Sequence, residues 1–159
     1  MQLAFLALEM LDLDATDHKI LRELELDGRL SNTALADKVG LSQSACLRRV
    51  QALESAGVIT GYRAVIDRTK LGIGLNVYVA VGLARRLKAD QAAFERAMKA
   101  ARQVRECHNI SGTVEYLLRV EAADLAAYKH FHTEVLGTVP QVASIISYFV
   151  MGSPKDERG

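Results

Sequence analysis

The sequence predicts an α+β protein, in which an N-terminal helix-turn-helix domain of winged-helix-like type is joined to a C-terminal ferredoxin-like βαββαβ sandwich. Apolar residues recur at helical spacing over 14–56, and each predicted helix has a capping residue before it and a glycine near its end. After a polar, glycine-containing break at 67–74, the order strand, helix, strand occurs twice in succession. Such a repeat is typical of an antiparallel sheet with both helices on one face.

Three short helices are predicted in the N-terminal part. Asp14, Ser31 and Ser42 each precede a stretch with helical apolar spacing, and side chains of these types accept hydrogen bonds from the first free backbone N–H groups of a helix. The first helix should end at an Asp-Gly pair, the second at Gly40 and the third at Gly57. The two last helices, separated by so short a turn, form the helix-turn-helix arrangement, whose second helix enters the major groove of DNA.

The rest of the chain is predicted to be mainly strands. Val58 to Ile66 is expected to be extended, loosened in its middle by a glycine. Beyond the break, the predicted strands are 75–83, 104–110, 115–121 and 142–150, and the predicted helices are 89–102 and 123–136. The predicted domains are an apolar N-terminal extension at 1–12, a DNA-binding domain at 13–66, a linker at 67–74, a sheet-containing domain at 75–152 and a polar tail at 153–159.

Composition excludes several classes of protein. With 20 basic and 19 acidic residues, the net charge of +1 argues against indiscriminate coating of nucleic acid, so any contact with DNA must be local. Cys46 and Cys107 lie far apart with no metal-ligand spacing, which favours a reducing, cytoplasmic setting and no metal or other cofactor. No lysine or arginine precedes Lys19, so the apolar start is not expected to be an export signal. A membrane span would need a run of about 18 apolar residues, and the sequence contains no such run.

The last predicted strand is apolar on both faces. A sheet covered by helices on one side should alternate apolar and polar residues, so the second apolar face needs a cover from outside the chain. A homodimer is the simplest cover, because twofold pairing lets one patch bury its own copy. We expect Ile145 and Phe149 to lie at that interface. The two faces carry Val142, Ile146, Tyr148 and Val150 on one side, and Ala143, Ile145 and Phe149 on the other.

The third predicted helix turns a short, polar and partly basic face outward. An arginine such as Arg48 can make paired hydrogen bonds to guanine, and a glutamine such as Gln51 can do so to adenine. Hydroxyl and backbone N–H groups at the helix start can bind phosphates. A polar outer face is also typical of any soluble helix, but the serine-capped pair of helices favours double-stranded DNA as the partner. The predicted DNA-binding residues are Ser42, Gln43, Ser44, Arg48, Gln51 and, on the following segment, Arg63.

Arg49 is predicted to have a different role from its neighbour. At about 100° per residue it falls nearer the buried side of the helix than Arg48 does. We therefore expect Arg49 to form a structural ion pair, with Asp37 or Glu54 as candidate partners, and Cys46 to be a small core residue on the same side.

Several short stretches together form a specific pattern: Val39-Gly40-Leu41-Ser42, Cys46-Leu47-Arg48-Arg49-Val50, Gly57-Val58-Ile59, Glu106-Cys107-His108 and Ser111-Gly112. In these stretches, and overall from Leu13 to Met151, the sequence resembles the Lrp/AsnC family of bacterial and archaeal regulators. The resemblance implies that 75–152 is a ligand-sensing and oligomerisation domain. It also implies dimers that assemble further into tetramers or octamers, with an amino acid bound between dimers near the turn after the second sheet strand.

The resemblance also implies an effector region around that turn. A free amino acid needs donors for its carboxylate and an acceptor for its ammonium group; a Ser-Gly turn offers backbone N–H groups, and Glu115 offers the acceptor. The family's Gly-Asp-x-Asp turn appears here as Gly-Thr-Val-Glu, so an ordinary polar turn without effector binding is the alternative. The residues implied are Asn109, Ser111, Gly112, Thr113, Glu115 and Tyr148.

Two other classes of function stay open at the level of sequence. An enzyme would need a nucleophile beside an oriented base, yet His108 lies in a predicted strand, and His130 and His132 are two residues apart on a helix and cannot share a face. No enzymatic role is therefore expected. A sensor that acts on a protein partner would use the N-terminal domain as a docking surface instead of a DNA reader.

Overall fold

The computed structural model describes residues 12–156. The predicted extension, apart from Asp12, and the last three residues of the predicted tail lie outside this range; residues 153–156 form neither helix nor strand. The chain divides between Ala64 and Val65 into two compact units.

Three helices build the N-terminal unit, and their predicted caps are confirmed. The Asp14 carboxylate accepts hydrogen bonds from the backbone N–H groups of Thr16 and Asp17, at 2.8 and 2.9 Å. Ser31 and Ser42 cap the next two helices in the same way. The helices are α1 (Ala15–Leu26), α2 (Asn32–Val39) and α3 (Gln43–Ser55).

A small apolar core holds these helices together. Ile20 of α1 and Cys46 of α3 are fully buried, and Leu35 of α2 is 2 % exposed. Burial of Cys46 confirms its predicted place in this core and raises the pKa of its thiol. Each helix therefore contributes its apolar stripe, which leaves the opposite face of α3 to solvent.

The segment from Val58 to Ile66 does not form the predicted extended element. The backbone N–H groups of Val58 and Ile59 both donate to the Leu53 carbonyl, at 2.9 and 3.1 Å, and so close the end of α3. From there to Ile66 the backbone has no regular structure, because a strand needs a neighbouring strand to take up its backbone hydrogen bonds. The predicted linker contains a short 3-10 helix, Arg68–Leu71.

The C-terminal unit is the predicted ferredoxin-like sandwich. Its four strands form one antiparallel sheet in the order β2-β3-β1-β4. The second predicted helix differs in its last part, which is π-helical: the Gly137 N–H donates to the His132 carbonyl at 2.9 Å. The elements are β1 (Leu75–Leu83), α4 (Lys88–Ala100), β2 (Val104–Asn109), β3 (Tyr116–Ala122), α5 (Leu125–His130) with the π-helical segment Phe131–Leu136, and β4 (Val142–Phe149).

The two faces of the sheet differ, and one prediction about them is wrong. Ile145 packs against the buried core beneath the helices, and the Phe149 ring lies edge-on to Tyr128 of α5 with centroids 5.2 Å apart. Since residues alternate along a strand, Ile146 and Tyr148 occupy the opposite, open face, where they are 48 % and 55 % exposed. The face that lacks a cover in this chain is therefore the one with Ile146, and not the one with Ile145.

Candidate nucleic-acid interface and effector region

The outward face of α3 carries polar side chains without partners. Gln43, Arg48 and Gln51 are exposed, and within residues 12–156 their side chains make no hydrogen bond or ion pair. The Ser44 hydroxyl lies 3.3 Å from that of Ser42, at the helix start. Donors and acceptors held on a rigid helix and bonded only to water are available to base edges and phosphates.

The start of α3 is fixed in place by two contacts. The Ser42 hydroxyl accepts a hydrogen bond from the Ala45 N–H at 3.3 Å, and the Asn32 side-chain amide of α2 donates to the Gln43 carbonyl at 2.8 Å. The backbone N–H groups of Gln43 and Ser44 have no acceptor among the described residues, as expected at a helix N-terminus. This end of the helix can therefore bind a phosphate oxygen.

Arg49 has the structural role that was predicted, but with other partners. Its guanidinium lies 2.8 Å from both Asp14 and Asp17 at the start of α1, and not beside Asp37 or Glu54. Glu54 instead accepts a hydrogen bond from the Tyr62 hydroxyl at 2.9 Å. The backbone N–H of Asp17, together with Arg49, holds the pKa of Asp14 below its ordinary value. The capping box of α1 is thereby fastened to α3.

Sequence reasoning missed Leu47 as part of the outward face. Its side chain is 46 % exposed beside Arg48, at the rim of a pocket of about 120 Å³ that Leu24 and Tyr62 also line. An exposed apolar side chain on such a helix can contact the methyl group of thymine. Its position one residue after the buried Cys46, about 100° around the helix, was a usable signal.

Arg63 lies in the irregular segment after α3. It is exposed and has no hydrogen-bond or ion-pair partner within residues 12–156. The structure thus leaves it available for a phosphate contact, although it lies on no strand.

The turn between β2 and β3 presents three of the predicted effector residues to solvent. Ser111, Gly112 and Thr113 are exposed, and Gly112 has φ 147°, a backbone conformation that favours glycine. The Ile110 N–H donates to the Glu115 carbonyl at 2.9 Å and closes the turn. Backbone and hydroxyl donors are therefore gathered at its tip.

Glu115 does not hold the free acceptor that was predicted. It is 8 % exposed; one carboxylate oxygen accepts from the Leu83 backbone N–H at 2.7 Å, and the other lies 2.6 Å from Nε of Arg86. The register shift at Gly82–Leu83 interrupts the ladder between β1 and β4, and the carboxylate takes up the Leu83 amide there. The hydrogen bond from Leu83, with the charge of Arg86, lowers the pKa of Glu115. Both oxygens are thus engaged within the protein.

Within one chain the fold brings Asn109 to the base of this turn, but it leaves Tyr148 away from the turn. Asn109 is paired in register with Tyr116, whose side chain is buried in the core, so its own side chain is on the helix-covered face. On β4, Ser144 is the residue close to Glu115, because it pairs with Gly82 of β1. Tyr148 lies four residues further along β4, where it pairs with Tyr78. Four residues of strand span about 13 Å. The predicted effector residues therefore belong to separate places on one protomer.

The described part of the chain offers neither a metal site nor a membrane-spanning helix. Within residues 12–156, no group of three or more histidine, cysteine, aspartate or glutamate side chains is placed to hold a metal ion. None of the helices in that part of the chain is both long enough and apolar enough to cross a membrane.

Comparison with known proteins assigns a function to each unit. Residues 13–60 match the family model described as winged helix-turn-helix DNA-binding, and residues 76–159 match the Lrp/AsnC ligand binding domain. The Bkd operon transcriptional regulator of Pseudomonas aeruginosa is 44 % identical over 144 residues, covering 91 % of this chain and 94 % of that protein. The leucine-responsive regulatory protein of Rhizobium meliloti is 41 % identical over 145 residues, covering 91 % and 93 %.

Solved structures agree with these matches. A transcriptional regulator of Neisseria meningitidis in complex with L-Met superposes with a TM-score of 0.87 at 34 % identity, covering 91 % of this chain and 93 % of that one. An AsnC family regulator of Agrobacterium tumefaciens gives a TM-score of 0.85 at 35 % identity, covering 91 % and 94 %. The chain is a DNA-binding transcription regulator with a ligand-binding domain, not an enzyme, and it belongs to the Lrp/AsnC family.

Proposed function

We propose that this regulator reads a specific DNA sequence with α3, acts as a homodimer, and responds to a small effector that binds beside the β2–β3 turn. The observation that carries the first part is a contrast on α3. Arg48 is exposed and has no partner among the described residues, whereas Arg49 is held by two carboxylates. Arg48 and Gln51 would contact base edges, and Leu47 a thymine methyl. Phosphate contacts would come from Ser42, Gln43, Ser44 and Arg63.

The open face of the sheet supports a homodimer. In one half of this face, Ile146 and Tyr148 of β4 lie beside Ala80 and Tyr78 of β1, an apolar patch of the kind that a second copy covers. In the other half, charged side chains neutralise one another: Nε of Arg119 lies 2.7 Å from Glu106, and its Nη1 lies 3.0 Å from Glu121. Burial against a twin is compatible with such internal pairing. Assembly of dimers into tetramers or octamers would be visible as a multiple of the dimer mass.

An amino acid is the effector class we propose, since the Neisseria regulator was solved with L-Met. The effector residues would be Asn109, Ser111, Gly112, Thr113, Glu115 and Tyr148. Because one chain keeps Tyr148 away from the others, a site that includes it would need residues from more than one subunit. A regulator without an effector is the second candidate, and the engagement of both Glu115 oxygens favours it. In a bacterium, whose chromosome lies in the cytoplasm, the regulator would act there.

Binding to the DNA upstream of its own coding region tests the proposal. Fluorescence anisotropy with this fragment and with a shuffled fragment of equal length should show a preference of about 10³-fold or more for the first. The affinity for both should fall as salt rises, because phosphate contacts release counterions. Equal affinity for the two fragments would contradict sequence-specific reading. Adding each amino acid in turn then tests the effector, by a change in DNA affinity or in native mass.

A further inference from the structure

This inference rests on the proposal that an effector binds beside the β2–β3 turn, and it concerns the side chain that contacts the effector. The side chain of Glu115 is 9 % exposed, whereas that of its ion-pair partner Arg86 is 69 % exposed. A molecule that approaches from solvent therefore meets the guanidinium first and the carboxylate hardly at all. Burial therefore leaves the ammonium group of an amino acid little access to Glu115.

Arg86 is held so that part of its guanidinium stays available. Only its Nε faces Glu115, at 2.6 Å, and within residues 12–156 Glu115 is the sole partner of the Arg86 side chain. A guanidinium has donors on Nη1 and Nη2 as well, in a planar fork that matches the two oxygens of a carboxylate. With one edge fixed by Glu115, the other donors are oriented in advance and less side-chain entropy is lost on binding.

The anchor of Arg86 is itself rigid and close to the turn. Glu115 directly precedes β3, and its second oxygen is bonded to the Leu83 N–H of β1 at 2.7 Å. A Cβ at Gly82 would overlap with the Ser144 hydroxyl and would reach within 3.9 Å of the Glu115 carboxylate. The carboxylate is therefore fixed against β1. Through it Arg86 is tied to the base of the β2–β3 turn, whose tip carries the exposed donors of Ser111, Gly112 and Thr113.

We propose that Arg86 is the effector-binding residue that sets specificity at this site, that Glu115 is its positioning residue, and that the effector is a small organic acid recognised by its carboxylate. The α-amino group is then not required for binding. A 2-oxo acid should bind about as well as the amino acid with the same side chain, and an amino acid amide should bind poorly.

Arg85 provides a matched control. Its side chain is 70 % exposed and pairs with one buried carboxylate, that of Asp90, at 3.1 Å. Asp90 lies in the first turn of α4, away from the β2–β3 turn in sequence and element. Arg85→Gln thus removes one exposed charge and one ion pair, as Arg86→Gln does, without touching Glu115.

The test is calorimetric titration of the full-length wild type, Arg86→Gln and Arg85→Gln. The probes are L-methionine and L-leucine, the 2-oxo acid of each and the amide of each. We expect both acid classes to bind wild type and Arg85→Gln with similar affinity, and to lose about 10- to 100-fold in affinity for Arg86→Gln. The amides should bind wild type about 10- to 100-fold more weakly than the acids. Arg86→Lys, which keeps the charge but not the fork, should fall between wild type and Arg86→Gln.

Each other outcome has one meaning. If L-methionine or L-leucine binds wild type and Arg86→Gln alike, the role of Arg86 is overturned while the proposed effector response stands. If the amino acids bind but their 2-oxo acids do not, recognition by the carboxylate alone is overturned. If none of the probes binds wild type, both this inference and the proposed effector function are overturned. Unchanged circular dichroism spectra of the variants exclude misfolding as the cause of a lost affinity.

Discussion

The outward face of α3 and the open face of the sheet differ in whether their charged side chains are paired. On α3, Arg48 and Gln51 have no partner within residues 12–156. On the sheet, Arg119 is held by two glutamates, and Glu121 is also 3.6 Å from Nε of Arg105. A polar group left to water loses nothing until a ligand replaces that water, whereas a charge that is to be buried must be paired first. The difference is what we expect if α3 binds a charged ligand, DNA, and if the proposed second copy covers the sheet.

The largest effect should come from placing a charge on the open face of the sheet. Ile146→Asp would bury an unpaired carboxylate if a second copy covers this face, which costs several kcal/mol, about 3–5, in dimer stability. Sedimentation velocity should then show a monomer at concentrations where wild type is a dimer. Leu125→Asp, at a 65 % exposed position of α5, should leave the dimer intact. A dimer that persists in Ile146→Asp would mean that this face is not the interface.

The next effect concerns DNA and distinguishes the two neighbouring arginines. Arg48→Ala should weaken binding to the specific site by about 1–3 kcal/mol and relax base preference at one position. Because Arg48 has no partner in the described chain, the free energy of unfolding should change by less than about 0.5 kcal/mol. Anisotropy with single-base variants of the site measures the first quantity, and urea unfolding measures the second. Loss of affinity that is uniform over all base variants would make Arg48 a phosphate contact.

Arg49→Ala should show the reverse. It removes the ion pairs with Asp14 and Asp17, and because the Arg49 side chain is 35 % exposed and solvent screens the pairs, we expect a small loss of stability in urea unfolding. The affinity of the folded protein for DNA should stay within about twofold of wild type. Asp17→Asn tests the same pair from α1. If Arg49→Ala binds DNA as weakly as Arg48→Ala does, the division of roles between the two residues is wrong.

The caps and the repeated strand–helix order made the fold predictable from sequence. Ser31, Ser42 and Gly40 act within a few residues of themselves, so their pattern identifies helix ends without knowledge of the rest of the chain. The segment after α3 was mispredicted for the opposite reason: β-branched composition favours extended backbone, but a strand also needs a neighbour, which sequence does not reveal.

In the candidate sites, too, local features could be predicted from sequence and distant contacts could not. The outward position of Arg48 follows from helical periodicity, and so does the inward position of Arg49. The partners of Arg49 and Glu115 do not, because Asp14, Asp17, Leu83 and Arg86 are distant in sequence from the residues they bind. The faces of β4 were assigned to the wrong sides since both are apolar, and only the packing of Ile145 beneath the helices distinguishes them.

The smallest expected effect is a pH dependence of stability that comes from Glu115. This carboxylate is buried and paired, unlike the exposed polar groups on α3. Its pKa in the folded chain lies below the ordinary 4.5, because the Leu83 N–H and then Arg86 favour the charged form. A lowered pKa contributes stability that is fully present above that ordinary value and is lost as the pH falls through the folded value. The stability difference between wild type and Glu115→Gln, from urea unfolding followed by tyrosine fluorescence, should therefore stay constant from neutral pH to about 5 and shrink below it. High salt should reduce this difference only in part, since a short hydrogen bond from Leu83 is screened less than the exposed charge of Arg86. A difference that grows on acidification would mean that burial dominates over the hydrogen bond and that the carboxyl is protonated more readily in the folded chain than in the unfolded one.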